Sequence, residues 1–336
     1  MALQSITLQL DVRSWPLKIP FRITGHVFDS LDLLVCTLSC DGVTGQGEAA
    51  GVYYHDETAE SLRAQIEAVR PAIEAGIDRA DLQDLLPAGG ARNALDCALW
   101  ALESRRGRRA AWQLAGLAPP QPLLTTFTLG ADLPAVMAER AAGLPKARAL
   151  KLKLIGDGHD AERVAAVRHA RPHVWLGVDA NQAFDRAATE ALLPALVEAR
   201  VDLLEQPCRI GEEESLRGLD CPIPLAADES VQTRRELESL VDLFDAVNIK
   251  LDKCGGLTEA LAMAHRARAL GLRVMVGNMI GTSLSCAPAF VVGQLCDIVD
   301  LDGPWHLAGD VAPAVDYLDG YLHCPAGLWD HAGAGP

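Results

Sequence analysis

Hydrophobic periodicity changes part-way along the chain. Between residues 4 and 50 apolar positions alternate with polar ones, first at Ile6, Leu8 and Leu10 and again at Leu34, Cys36 and Leu38. A period of two marks half-buried strands, and breaks at Gly42, Gly45 and Gly47 predict an antiparallel meander. From residue 56 to 84 the period becomes helical, with Ala59, Leu62, Ile66, Val69 and Ile73 on one stripe. The segment ARNALDCALWALESRRG repeats that pattern through Ala94, Leu95, Ala98, Leu99 and Leu102. Strands followed by helices predict an α+β unit over residues 1–120.

The break Pro119-Pro120-Gln121-Pro122 closes this unit. Beyond it, eight short apolar runs alternate with stretches rich in Ala, Leu, Glu and Arg. The runs end at Thr128, Lys153, Asp179, Glu205, Asp228, Lys250, Gly277 and Asp300, spaced 22 to 27 residues apart. A repeated strand-then-helix unit gives a parallel sheet, and eight repeats fit a closed α/β barrel better than an open sheet. No G-x-G-x-x-G follows the first run, which argues against a dinucleotide-binding fold.

Composition narrows the function classes. With 49% hydrophobic and 22% charged residues, the 336-residue chain can bury a core. Its formal net charge is -15 and no Lys/Arg block interrupts it, so nucleic acid is not an expected partner. No apolar run approaches the roughly 18 residues of a membrane span. Nine scattered cysteines without a C-x-x-C pair, and an N-terminus lacking the pattern of a signal peptide, fit a reduced, cytoplasmic protein.

Barrels of this kind carry their chemistry where the strands end. Lys151, Lys153, Asp179, Glu205, Asp228 and Lys250 all close apolar runs. Any one alone reads as a solvated loop charge; six in register do not. Asp179, Glu205 and Asp228 come from successive strands, so their carboxylates converge, and a hard dication such as Mg²⁺ would relieve the repulsion. Lys151 and Lys153 face the same way, and two adjacent ammonium groups near a dication are expected to lower a lysine pKa toward that of a base. Lys250 lies across the barrel, on the opposite face of a central substrate. Base, metal and opposed acid together describe 1,1-proton transfer at a carbon beside a carboxylate. Lys253, just past the strand, is expected to be solvated.

These residues carry a resemblance. K-x-K at 151–153, VDAN with Asp179 and Asn181, LLEQP with Glu205, ADES with Asp228 and Glu229, and NIKLDKCGG with Lys250 resemble the enolase superfamily, in its muconate-lactonizing-enzyme-like subgroup. GQGEA near Glu48 and the ALDCALWAL helix resemble that family's capping domain. The resemblance implies a modified (β/α)7β TIM barrel over 121–313, capped by 1–120, with 314–336 returning to the cap. It implies Asp179, Glu205 and Asp228 as Mg²⁺ ligands, Lys153 and Lys250 as the acid/base pair, and Lys151 as the electrostatic partner of Lys153. Asn181 and Glu229 would brace the ligands. Homo-oligomers are common among the relatives.

The subgroup's chemistries include muconate cycloisomerisation, o-succinylbenzoate synthesis, N-acylamino acid racemisation and dipeptide epimerisation, so the substrate needs separate signals. Asp300 and Asp302 lie two apart on one face of the last strand, where a dipeptide's α-ammonium would pair with them. Such a D-x-D resembles the dipeptide epimerase signature. Thr128 matches a substrate-contacting position, and Arg22 in KIPFRITG matches a cap-loop arginine that holds a glutamate side chain. L-Ala-D/L-Glu is thus the expected substrate, with an N-acylamino acid as its rival. VGNMIGTSLS departs from many relatives, which carry Cys at Asn278 and an acid near Gly281, and this loop is expected to line the pocket.

Overall fold

The computed structural model describes residues 6–331. The outermost five residues of the expected cap and of the expected returning segment lie outside that range. Three antiparallel strands open the chain: β1 (Thr7–Ile23), β2 (His26–Cys40) and β3 (Val43–Ala49), in the order β1-β2-β3. Asp41 and Gly42, both at positive φ, make the two-residue turn between β2 and β3. Gly45 and Gly47 are not breaks, as the sequence suggested, but lie within β3. Helices α1 (Ala59–Glu74), α2 (Arg79–Leu85), α3 (Gly90–Gly107) and α4 (Ala111–Leu114) follow. A Cβ on Gly45 would sit 2.3 Å from the Ala98 carbonyl of α3, and one on Gly47 2.2 Å from that of Ala94. The two glycines let β3 lie directly on the helix backbone.

A short strand, β4 (Leu123–Leu124), precedes the barrel strands β5 (Thr126–Leu129), β6 (Ala149–Lys153), β7 (Trp175–Asp179), β8 (Leu203–Glu205), β9 (Leu225–Ala227), β10 (Ala246–Lys250), β11 (Arg273–Gly277) and β12 (Ile298–Asp300). These eight form one parallel sheet in sequence order. Between β12 and β5 the ring is joined by Leu301 N donating to Thr125 Oγ1 (2.9 Å) and Thr128 N to Asp302 Oδ2 (2.5 Å). The crossovers carry α5 (Pro134–Ala142), α6 (Asp160–Ala170), α7 (Arg186–Glu198), α8 (Leu237–Leu240), α9 (Leu251–Cys254) with α10 (Leu257–Ala269), and α11 (Ser283–Gly293). Between β8 and β9 only a 3₁₀ turn at Glu213–Leu216 replaces the expected helix. After β12 comes the single turn α12 (Gly303–His306), then β13 (Asp316–Leu318) and β14 (Tyr321–His323), with β14 paired between β13 and β4. Trp329 Nε1 then donates to Gln46 O at 2.8 Å and His331 N to Ser104 Oγ at 2.9 Å, in the N-terminal unit.

Strand alternation divides the barrel. Leu150, Leu152, Leu176, Val178, Val247 and Ile249 point outward into the large core shared with the helices. Inward, Leu203, Ala226, Ala246, Met275 and Ile298 pack with Trp175 into a separate apolar floor. Polar side chains occupy the barrel above it.

The two units meet through buried carboxylates. Glu48 of β3 accepts from Thr282 N (2.7 Å) and Oγ1 (2.8 Å), and Asp96 of α3 accepts from Thr258 N (2.9 Å) and Oγ1 (2.6 Å). Asp252 of α9 accepts from Ala50 N and Gly51 N at 3.0 and 3.1 Å. Burial pushes Glu48 up from the ordinary 4.5 to about 7, against the bonds from Thr282. Folded protein therefore keeps a proton that the unfolded chain has already lost, so stability from this group is present at low pH and is lost as pH rises from 4.5 to about 7. The stability difference between wild type and Glu48→Gln, read from denaturant unfolding, should fall by up to about 3 kcal/mol across that window. A flat or rising difference would contradict this linkage.

Candidate active site

The register of β6, β7 and β8 pairs Lys153 with Asp179 and Asp179 with Glu205, placing the three side by side. Asp228 follows β9 directly. One carboxylate oxygen from each of Asp179, Glu205 and Asp228 lies within 4.8 Å of the others, and all three residues are fully buried. Lys250 ends β10, four strands from β6 in a ring of eight, so Lys153 and Lys250 approach this cluster from opposite walls. Lys153 Nζ donates to Asp179 Oδ2 and Lys250 Nζ to Asp228 Oδ2, each at 2.5 Å. Glycine at position 277 keeps room for Asn248 and the second lysine, because a Cβ there would lie 2.9 Å from Asn248 Oδ1 and 3.2 Å from Lys250 Cε.

Lys151 sits deeper. Its ammonium donates to Asp300 Oδ2 and to Glu205 Oε2 at 3.3 Å, with Asp179 Oδ2 at 3.7 Å. Burial works against its charged form, but Asp300, Glu205 and Asp179 outweigh burial and hold Lys151 well above 10.5. Lys250 is raised in the same way, burial being overcome by Asp228 and Glu205. The lowering expected of adjacent ammonium groups is opposed at Lys151 by these carboxylates, which it meets closer than it meets another cation.

Lys253 is not solvated but buried. It closes the single turn α9, which ends at Gly255 and Gly256, both at positive φ, and this turn carries the side chain back under the cluster. Its Nζ donates to Asp228 Oδ1 (2.6 Å), to the Asp228 carbonyl and to Asn248 O (3.0 Å).

The donor set fits a dication. Six buried carboxylates, Asp179, Glu205, Asp228, Glu229, Asp300 and Asp302, face four buried ammonium groups, Lys151, Lys153, Lys250 and Lys253. The carboxylates thus outnumber the ammonium groups by two. The imbalance falls on two acids: burial, with Asp179 adding to it, pushes Glu205 up to about 7, and burial with Asp228 pushes Glu229 up to about 8. Buried polar atoms without a partner also gather here, at Asn181 Oδ1, Glu229 Oε2, Asn248 Oδ1 and Asn278 Nδ2. Oxygen-rich, anionic and incompletely bonded surroundings suit Mg²⁺ or a similar hard ion.

A cavity of about 330 Å³ opens above the cluster, with Lys153, Lys250, Asn181, Glu229 and Asn278 on its barrel side. The N-terminal unit roofs it. Thr24 Oγ1, at the tip of the β1–β2 hairpin, donates to Leu154 O and Ala180 O (3.1 Å each), and Asp252 fixes the 50–51 loop. Other expected substrate contacts lie off the cavity walls. Asp300 accepts from the Thr126 hydroxyl and Lys151; Asp302 accepts from Thr128 N and lies 3.1 Å from His306 Nε2. Burial opposes ionisation of Asp302, yet His306 and the Thr128 N–H hold it down to about 2. Arg22 is not in a loop and does not line the cavity. It is exposed on β1 between Phe21 and Ile23, which do line it, and strand alternation turns it to the other face.

Two bracing residues and two cavity-lining tyrosines escaped the sequence reading. Asn248 Nδ2 donates to Glu205 Oε1 at 2.7 Å, and its inward position two before Lys250 was the available signal. Gln206, held at φ 37° directly after Glu205, accepts from Asp228 N at 2.9 Å and so ties two strand ends together. Tyr53 and Tyr54 line the cavity from the roof, with no signal in spacing. Asn181 does what was expected, donating to Asp179 Oδ2 (3.4 Å) and Glu229 Oε1 (3.1 Å).

Lys253→Met should leave Asp228 and two carbonyl oxygens without their cation, costing about 3–5 kcal/mol of folding stability by denaturant unfolding. A loss below 1 kcal/mol, the scale of an exposed ion pair, would show that the buried bridge carries little.

Residues 5–116 match the mandelate racemase / muconate lactonizing enzyme N-terminal domain, and residues 135–328 match the enolase C-terminal domain-like family. The chain is 40% identical to the L-Ala-D/L-Glu epimerase of Escherichia coli over 94% of this chain and 99% of that one. An Agrobacterium tumefaciens enolase family member with homology to dipeptide epimerases, solved with sodium and L-Ala-L-Glu, superposes with a TM-score of 0.92 at 37% identity, covering 95% and 97% of the two chains. The dipeptide epimerase of Enterococcus faecalis, complexed with Mg and L-Leu-L-Tyr, superposes with a TM-score of 0.89 at 27% identity over 99% of each chain. With its barrel, its roof and both halves of its sequence in agreement, the chain belongs to the mandelate racemase / muconate lactonizing enzyme family.

Proposed function

We propose that the protein is a Mg²⁺-dependent dipeptide epimerase that moves the α-proton of the C-terminal residue between Lys153 and Lys250. The observation that carries this reading is the pair of lysines facing each other across the buried carboxylate triad. Relatives of the same family, named for dipeptide epimerisation or solved with Mg and a dipeptide, support it. The cap over 1–120, the barrel over 121–313 and the returning segment 314–336 serve this one site. We place the enzyme in the cytoplasm, in keeping with nine scattered cysteines that include no C-x-x-C pair, and as a homo-oligomer, as the resemblance implies.

Asp179, Glu205 and Asp228 would hold the ion, with Asn181, Asn248 and Lys253 fixing their orientation. A dication held there would supply positive charge to offset the negative charge growing on the substrate carboxylate. Turnover needs one lysine as amine and its opposite as ammonium. The amine accepts the α-proton on one face, the ammonium returns a proton to the other, and the configuration inverts. Lys151, enclosed by three carboxylates, stays charged and takes no proton.

A second reading, an N-acylamino acid racemase, is favoured by one observation: Asp300 and Asp302 already have Lys151, Thr126, Thr128 and His306 as partners, so neither is kept free for a substrate ammonium. A cycloisomerase or lyase would use only one lysine for the proton.

Incubation of dipeptides with enzyme and Mg²⁺ in deuterium oxide should give α-deuterium in both epimers, and chelation of the metal should stop it. Lys153→Ala and Lys250→Ala should each slow epimerisation by about 10²–10⁴-fold while still exchanging the proton of one stereoisomer, a different one in each variant. Exchange of N-acetyl amino acids in place of dipeptides would favour the second reading. Unimpaired epimerisation in either variant would remove the two-base account.

A further inference from the structure

We propose that the substrate side chain accepted by this cavity is aliphatic or aromatic rather than acidic. The inference rests on the epimerase reading and adds to it the class of residue that is turned over. One wall of the roof is apolar. Phe21, Ile23, Phe28 and Leu31 of the β1–β2 hairpin, Tyr53 of the loop after β3, and Ile280 beyond β11 all line it. They belong to one cluster closed by Leu17 and Leu307. Phe28, Leu31, Tyr53 and Ile280 are only half-buried within that cluster, so each keeps apolar surface that a ligand can cover. The rings of Phe28 and Tyr53 meet edge to face at 5.8 Å, which makes this wall preformed.

Charge points the same way. Among the described residues lining the cavity, the only cations are Lys153 and Lys250 on the barrel side, each already held by a carboxylate. The charged residues that the roof contributes are Asp32, Glu57 and Glu60, all acidic. Glu57 accepts from Val52 N at 2.9 Å and Gly90 N at 3.1 Å, so it braces the loop. A glutamate side chain entering here would lose water, find no guanidinium or ammonium and face like charge. Arg22, the one residue expected to receive it, lies on the opposite face of β1.

The test is a matched series, L-Ala-L-Leu, L-Ala-L-Phe, L-Ala-L-Glu and L-Ala-L-Lys, incubated with the enzyme and Mg²⁺ in deuterium oxide and followed by mass spectrometry. The kcat/KM for the Leu or Phe dipeptide should exceed that for the Glu dipeptide by about tenfold or more. Glu or Lys equal to or better than both would overturn the inference and leave the epimerase reading intact. No exchange with any dipeptide would overturn both. Phe28→Arg, which sets a guanidinium into the apolar wall, should shift the Glu-to-Phe ratio of kcat/KM toward Glu by about tenfold or more. An unchanged ratio in a folded variant would place the side-chain site elsewhere and overturn the inference.

Discussion

Burying six carboxylates against four ammonium groups inside one barrel opposes folding unless something else joins them. The rest of the site follows from how that imbalance is managed. Each lysine is drawn onto the nearest acid, Asn248, Asn181 and Gln206 fix the directions of the carboxylates and strand ends, and the surplus charge collects at Glu205 and Glu229. Such a cluster has the charge and oxygen donors that a dication would take.

That arrangement needs a dry setting, and both sides of the barrel supply one. The apolar floor around Leu203, Met275 and Ile298 closes the bottom. Above, the N-terminal unit is clamped by Thr24 on the ends of β6 and β7 and by Asp252 on the 50–51 loop. Gly45 and Gly47 let β3 press onto α3, which in turn bonds to the turn after β10 through Arg92, whose Nη2 donates to Cys254 O at 2.6 Å. The segment bearing Lys250 and Lys253 is thus fixed by the same contacts that seat the roof. Water exclusion strengthens each charge interaction inside.

Much of this was legible in the chain. Parallel barrel strands are buried on both faces and read as apolar runs, so charged residues at their ends stood out, and their recurrence every 22 to 27 residues gave the ring. What was illegible depended on contacts remote in sequence. Arg22 looked like part of a loop through its resemblance to a cap-loop arginine, and Pro16 and Pro20 before it carry no strand signal. Yet β1 is the edge strand, where a missing N–H costs no ladder bond, and it continues through them to Ile23. Lys253 looked solvated because one turn of helix after a strand leaves no periodic signal. The raised Lys151 and Lys250 depend on Asp300 and Asp228, 149 and 22 residues away in the chain. Gly45 and Gly47 read as breaks because the helix they accommodate begins more than forty residues later.

Isothermal titration of the apo protein with Mg²⁺ tests the charge account most directly. One ion should bind per chain, and Asp228→Asn, which removes one acid from the triad while keeping its shape, should weaken binding by at least about tenfold. Absence of Mg²⁺ binding in the folded wild type, or equal affinity in Asp228→Asn, would contradict it.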